Sequence, residues 1–307
     1  MDIKRREVPK DLKVLRLLYQ RNGLSEEDQK QYFKLEKGFE GELRFDEMVK
    51  ERLPDDDWLI LSDLLLEINN RLTQIDAILI SGGKIFNINV KNHEGDHYIK
   101  NGFWYMSPSG KEIHDPLLQL RRSELVLRQI IRSLGLNLPI VSKVIFINPD
   151  FTLYQAPMDL PIVLPTQLNR FFKDLLISSS KPGKKEWALA KKLASMHITE
   201  SPYSNVPPYT LKKLKKGVCC ASCHSFKLKL EGKDLVCQIC GSIEKLDSAI
   251  MRVVEDFHTL YPDRKITVKV ISEWCGLDIN RKIIERTLKK NLVLIKKQRY
   301  SYYLFMD

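Results

Sequence analysis

The chain has 307 residues, 43% of them hydrophobic and 29% charged, and a formal net charge of +11. That is an ordinary globular mixture with room for two or three domains, and no apolar run approaches the ~20 residues a membrane-spanning helix needs. The start, Met1-Asp2-Ile3-Lys4-Arg5-Arg6-Glu7, is charged and lacks the apolar core of a signal peptide, so a cytoplasmic protein is expected.

The charge is uneven. Residues 201–307 carry 20 Lys and Arg against 11 Asp and Glu, which is nine of the eleven net positive charges. A basic end of this kind points to a polyanionic partner, although a solvated basic surface has the same composition.

Before Lys37, Leu12, Leu15, Leu17, Leu18 and Tyr19 and then Glu26 to Leu35 suggest two helices that pack onto the domain following them. Gly38-Phe39-Glu40-Gly41-Glu42 opens a further helical stretch. Gly82-Gly83 then marks a two-residue hairpin loop, which fixes the register of the strands on either side. Centring the turn there pairs Ile80 with Ile85, Ile78 with Asn87, Asp76 with Asn89 and Gln74 with Lys91. Because side chains alternate along a strand, Ile75, Ala77, Leu79, Phe86, Ile88 and Val90 form an apolar face, and Gln74, Asp76, Asn87, Asn89 and Lys91 gather on the other. Such a polar face is either a wet sheet surface or the framework of a metal site.

Downstream, Asn101-Gly102 predicts a hairpin between His97-Tyr98-Ile99 and Phe103-Trp104-Tyr105. Asp115-Pro116 caps and begins a helix that reaches about Leu134, and Val144 to Ile147 and Ile162 to Leu164 are late strands.

From Lys37 to about Leu175 these residues resemble NERD, the nuclease-related domain, a relative of the PD-(D/E)xK nucleases. The resemblance is carried by Gly38-Phe39-Glu40-Gly41-Glu42, Gln74-Ile75-Asp76, Asn89-Val90-Lys91-Asn92 and Gly95-Asp96. Gly102-Phe103-Trp104 and Asp115-Pro116-Leu117-Leu118-Gln119 extend it. It implies an α/β fold, a restriction-endonuclease-like mixed sheet flanked by helices, that uses Mg²⁺ or Mn²⁺ to cut phosphodiesters.

By that resemblance Glu42 is the helix carboxylate, Asp76 the metal-binding acid and Lys91 the catalytic lysine, with Gln74 and Gln119 at polar positions around them. Asn89 departs from the pattern, which has Glu there. An amide oxygen ligates a hard cation but brings no charge, so the site is expected to hold Mg²⁺ more weakly. Glu94 and Asp96, just past the strand, are candidate replacement ligands and equally ordinary turn residues.

Ser178 to Gly183, a helix from Lys184 to His197 and the Pro202 to Pro208 stretch read as a domain boundary. Beyond it lie Cys220-x2-Cys223 and Cys237-x2-Cys240, thirteen residues apart, a spacing that places four thiolates around a structural Zn²⁺. Cys219 and His224 flank the first pair as alternative ligands, and a disulfide framework is disfavoured in a cytosolic setting.

The last sixty residues resemble winged-helix domains in element order. Helices are expected from Asp247 to Tyr261 and from Thr267 to Trp274, and a third from an Asp278 N-cap to about Asn291, then strands from Leu292 to Ile295 and Tyr300 to Phe305. In the third helix Ile279, Ile283, Ile284, Thr287 and Leu288 form an apolar stripe, and Arg281, Lys282, Arg286, Lys289 and Lys290 project elsewhere. With Lys296, Lys297 and Arg299 in a wing-like turn, these are candidate phosphate contacts, and the helix is of a kind that enters a major groove. The same module also serves as a protein-binding surface elsewhere, and Cys275 reads as a small buried residue.

The expected division is therefore an N-terminal helical segment (1–36), the nuclease-related domain (37–176), a linker with one helix (177–216), a zinc ribbon (217–246) and a winged-helix-like α+β domain (247–307). Two functions fit it: a metal-dependent DNA endonuclease with a weakened site, or a DNA-binding protein whose nuclease scaffold no longer cuts.

Overall fold

The computed structural model describes residues 1–68, 71–276, 279–297 and 300–306. By its contacts the chain falls into two units: Met1–Val8 with Phe33–Ser204, and Pro9–Tyr32 with Asn205–Asp307.

The chain opens with β1 (Asp2–Lys4) in the first unit, α1 (Lys10–Gln20) in the second, and α2 (Glu26–Arg52), whose residues from Phe33 onward belong to the first. The first unit continues through β2 (Leu59–Ile68), β3 (Arg71–Ser81), β4 (Lys84–Lys91), β5 (Gly95–Lys100), β6 (Phe103–Met106) and β7 (Lys111–Ile113). It then runs through α3 (Pro116–Ser133), β8 (Ile140–Phe146), β9 (Phe151–Tyr154), β10 (Ile162–Val163), α4 (Leu168–Ile177) and α5 (Lys184–Ser195). Its main sheet has the order β1-β2-β3-β4-β8-β10, antiparallel from β2 to β4 and parallel elsewhere, so it is mixed. This is the α/β architecture expected from the sequence.

Both faces of that sheet are covered, which is what a sheet with parallel strands requires. On one side Phe45 and Val49 of α2, Leu53 just after it, and Phe172 and Leu175 of α4 pack on Ala77, Leu79, Phe86, Ile88 and Val90. On the other, Leu127 and Ile130 of α3 and Leu189 and Leu193 of α5 pack on Ile78, Ile80 and Ile85. The helix read from sequence as part of a linker is therefore a wall of the first unit's core.

Gly82 (φ +57°) and Gly83 (φ +69°) make the hairpin turn, and both left-handed positions are what a two-residue primed turn demands. A Cβ on Gly82 would lie 2.3 Å from the Ser178 carbonyl oxygen, so this position admits glycine only. The register follows: Ile80 pairs with Ile85, Ile78 with Asn87 and Ala77 with Ile88.

The ladder stops there, short of the expected Asp76–Asn89 and Gln74–Lys91 pairs. The cause is a shift in side-chain alternation. Leu59 and Leu61 on β2 and Ile78 and Ile80 on β3 face the α3 side, but so do Leu64, Leu66 and Ile75. Asp63, with φ +55°, absorbs the shift on β2, and its neighbour across the ladder is Asp76. Ile75 thus belongs to the opposite core from Ala77 and Leu79, a correction to the face drawn from parity alone.

A second sheet, β7-β6-β5-β9, lies over a smaller core of Ile99, Trp104, Leu117, Leu120, Phe146 and Phe151. Asn101 and Gly102 turn its hairpin at φ +52° and +81° as expected. Asp115 caps α3 by accepting the Leu117 N–H at 2.8 Å, with Pro116 at the first helical position.

In the second unit α1 buries Leu12, Val14, Leu15 and Leu18. Just after it the fully buried Arg21 donates to the carbonyls of Lys215 (3.0 Å) and Gly217 (3.2 Å), pairs with Asp256 (3.2 Å) and lies 4.4 Å over the Trp274 ring. The N-terminal helix α1 is thus grouped with residues 205–307. A buried guanidinium needs partners, and its partners are Asp256 and two carbonyls late in the chain.

The rest of this unit is a three-stranded sheet of β11 (Leu228–Glu231), β12 (Asp234–Cys237) and β13 (Ile243–Lys245). Next come α6 (Leu246–Leu260), α7 (Val268–Cys275), α8 (Arg281–Asn291) and a hairpin of β14 (Val293–Lys297) with β15 (Tyr300–Leu304). Ile266, between α6 and α7, bridges to Tyr303 of the hairpin. Ile250, Val253, Val254 and Phe257 of α6 are fully buried with Ile271, Ile284 and Leu288, and Cys275 is buried as expected. The N-cap of α8 is Asn280, whose side chain accepts the Lys282 N–H at 2.9 Å; Asp278, the expected cap, lies outside the described residues.

Candidate metal centres and basic surface

Where the β3–β4 ladder ends, the Asp76 carboxylate takes over. Its Oδ2 accepts the Val90 N–H at 2.8 Å, so an acid side chain satisfies a buried backbone donor that ladder pairing leaves unmet. Asp76 and Asn89 are both buried, at 3% and 2% exposure. Asn89 Oδ1 has no hydrogen-bond partner among the described residues, an arrangement that costs free energy unless another group uses that oxygen.

Lys91 ends β4, and its Nζ is held by Gln119 Oε1 of α3 at 2.8 Å. Gln119 therefore fixes the position of the Lys91 ammonium. Gln74 is not joined to Lys91; its amide donates to Asp63 Oδ1 at 2.8 Å, because the shift at Asp63 and Asp76 takes the two strands out of the expected pairing.

Glu42 approaches from α2. Burial, reinforced by the nearby Asp76 charge and opposed by Arg6, pushes its carboxyl up to about 8. Burial likewise raises Asp76, against the pull of Lys91. A buried and a partly buried acid, both raised by burial, would be stabilised by a bound cation, and an amide oxygen buried without a donor could serve it as a neutral third ligand. The donor set, all oxygen, suits Mg²⁺ or Mn²⁺, so the residues present fit such an ion.

Glu94 and Asp96 do not make up the missing charge. Glu94 is exposed and pairs with Lys37 at 2.6 Å, and Asp96 lies at the exposed start of β5. Gly41 explains its place in the helix: a Cβ there would lie 2.5 Å from Asn92 Cβ, so glycine lets α2 approach the strand that carries Lys91. Asn92 Nδ2 fixes the approach by donating to the Lys37 carbonyl at 2.7 Å.

Three residues near this site were not anticipated. Arg6 donates to Glu42 (2.6 Å), Asp46 (2.8 Å) and the Asp76 carbonyl (2.7 Å) with a side chain only 2% exposed. Asp46 carries a signal in retrospect, since it lies one helical turn after Glu42. Asp63 and Arg6 carry none that is local.

The second centre is the cysteine cluster. The sulfurs of Cys220, Cys223, Cys237 and Cys240 all lie within 4.8 Å of one another, with Cys220–Cys240 at 3.6 Å and Cys223–Cys237 at 3.5 Å. Tetrahedral Zn–S bonds of about 2.3 Å set sulfurs roughly 3.8 Å apart, so four thiols here fit one zinc. Among the described residues this is the one place where three or more His, Cys, Asp or Glu ligand atoms converge. Cys219 is turned to Arg252, which donates to its carbonyl at 2.8 Å and lies 3.6 Å from its sulfur. It stands outside the four-sulfur group, as does His224.

On α8, Arg281, Lys282, Arg286, Lys289 and Lys290 are exposed while Ile284, Thr287 and Leu288 face the core. Two of these cations are engaged: Arg286 with Asp247 (3.5 Å) and Lys289 with Glu285 (2.6 Å). Lys296 and Lys297 are exposed residues of β14 rather than of the turn after it, and Arg299 lies outside the described residues.

Residues 37–147 match the family model NERD, the nuclease-related domain. The chain therefore carries a nuclease-related domain together with a four-cysteine cluster compatible with a zinc ribbon. No curated protein and no solved structure matches it. No helix among the described residues is long and apolar enough to cross a membrane.

Proposed function

We propose that this nuclease-related domain is a divalent-metal-dependent phosphodiesterase that acts on DNA, and that the basic zinc-ribbon and winged-helix-like residues supply affinity for the same substrate. Asp76 and Glu42 are the charged ligands of the cation and Asn89 Oδ1 the neutral one. The cation supplies stabilisation of charge on the phosphate and lowers the pKa of a bound water. Lys91, seated by Gln119, orients that water toward phosphorus and faces the charge that develops there.

The observation that carries this reading is the buried Asn89 oxygen without a partner, near two acids whose carboxyls burial raises. A sheet with only a structural role at this point has no reason to bury an amide oxygen unsatisfied. The same asparagine favours the runner-up, a DNA-binding protein with a silent scaffold, because it removes one negative charge from the metal site.

Arg281, Lys282, Lys290, Lys296 and Lys297 are the proposed phosphate contacts, with Arg299 beside them in sequence. Such contacts hold a duplex in register and give salt-dependent affinity without reading sequence.

The test is plasmid nicking in Mg²⁺ or Mn²⁺ by the native chain beside Asp76→Asn and Lys91→Ala. Nicking that disappears in both variants supports the reading. Nicking that persists in Asp76→Asn assigns it to a contaminant or to another site.

A further inference from the structure

We infer that Arg6 is a positioning residue of this metal site, supplied by the N-terminal segment from outside the stretch that matches the nuclease-related domain; the inference rests on the proposed metal-dependent function. The segment is stitched to the sheet next to the site. Its β1 pairs in parallel with β2, and Lys4 Nζ donates to the carbonyls of Ser62 (2.9 Å) and Asp63 (2.7 Å), where the alternation shifts. That brings Arg6 to the middle of β3, at Asp76.

There the guanidinium makes contacts to three groups. Nη1 meets Glu42 Oε2 at 2.6 Å, and Nη2 meets the Asp76 carbonyl at 2.7 Å. Nε and Nη2 take the two oxygens of Asp46 at 2.8 and 3.3 Å, and Ser62 Oγ holds Asp46 Oδ1 at 3.2 Å. One side chain thus links the helix acid to the backbone of the strand acid.

The geometry separates positioning from competition. A buried, planar guanidinium gripped at two points by Asp46 does not swing with its ligand. Asp46 pairs with the same guanidinium at 2.8 Å, so Arg6 divides its charge between Asp46 and Glu42. Its bond to Glu42 uses Oε2, which leaves Oε1 for the metal. Carboxylate ligands elsewhere are oriented by hydrogen bonds of this kind, and losing one costs 10- to 100-fold in metal affinity. Glu42 and Asp46 lie one turn apart on α2, so the same helical face presents the ligand and the group that anchors its orienter.

The experiment is Mn²⁺ binding by calorimetry on the full chain with its zinc in place, comparing native protein with Arg6→Gln, Arg6→Lys and Asp46→Asn. Thermal unfolding is recorded beside each. Arg6→Gln should weaken Mn²⁺ binding by tenfold or more, and Arg6→Lys, which keeps the charge but not the fork, should fall between it and the native chain. Asp46→Asn, a smaller perturbation of packing, should weaken binding in the same direction. Equal or tighter binding by a folded Arg6→Gln variant, with native binding intact, overturns the positioning role alone. If the native chain binds no Mn²⁺, the metal-dependent function fails and this role with it.

Discussion

Asp76 Oδ2 accepts the Val90 N–H at 2.8 Å where β3 and β4 cease to pair, so the proposed metal-binding acid is also a structural acceptor. Removing the whole side chain leaves a buried donor unmet, at about 1–3 kcal/mol. Asp76→Asn keeps an acceptor oxygen and removes the charge. Urea unfolding without divalent metal should therefore find Asp76→Ala less stable than Asp76→Asn, and both without nicking activity.

His93 offers a pH prediction. It lies against His97 (5.6 Å), Phe146 (6.0 Å) and Phe151 (6.3 Å), and burial, assisted by His97 and nearby lysines, pulls it down to about 4 from 6.5. The folded chain keeps it neutral while the unfolded chain protonates it. Its share of stability is thus present above pH 6.5 and is lost as pH falls toward 4. The loss is at most about 3.5 kcal/mol at ~1.4 kcal/mol for each unit of pKa. His93→Phe should flatten that part of a stability-against-pH curve measured by chemical unfolding.

For the cysteine cluster, Cys237→Ser should lose bound zinc as measured by elemental analysis of the purified chain. A strong chelator should lower the unfolding temperature of the native chain and leave the variant unmoved. The three short strands of the ribbon bury few large side chains besides Leu235, so the metal is expected to supply much of the folding energy there.

On the basic surface, Arg281→Ala and Lys282→Ala should weaken DNA binding more than Lys289→Ala, because Lys289 is already paired with Glu285 at 2.6 Å. Each lost phosphate contact should reduce the slope of log affinity against log salt by about 0.9. Fluorescence anisotropy with duplex DNA at several salt concentrations reads both. Unchanged slopes in Arg281→Ala and Lys282→Ala would remove α8 from the interface.

Elements with a local signature were legible in the sequence. Gly82-Gly83 fixed a register that holds to Ala77–Ile88, Asp115-Pro116 starts α3, and the two Cys-x2-Cys pairs converge. The face shift was not legible, because an aspartate at positive φ such as Asp63 has no sequence mark. Arg6 was missed for a related reason. Its partners stand 36, 40 and 70 residues away, and nothing in a basic N-terminus distinguishes the buried arginine from its exposed neighbour Arg5. Asp278 and Asn280 are both good helix caps, so residue type alone did not choose between them.

In the proposed site an amide oxygen at position 89 still permits turnover. That is tested most directly by titrating Mg²⁺ against plasmid nicking for the native chain and Asn89→Glu side by side. Native nicking that requires more Mg²⁺ than the variant, and approaches it as the ion is raised, is the predicted result. A native chain silent at every Mg²⁺ concentration, beside an Asn89→Glu variant that nicks, would rule out turnover with asparagine and leave a scaffold that only binds.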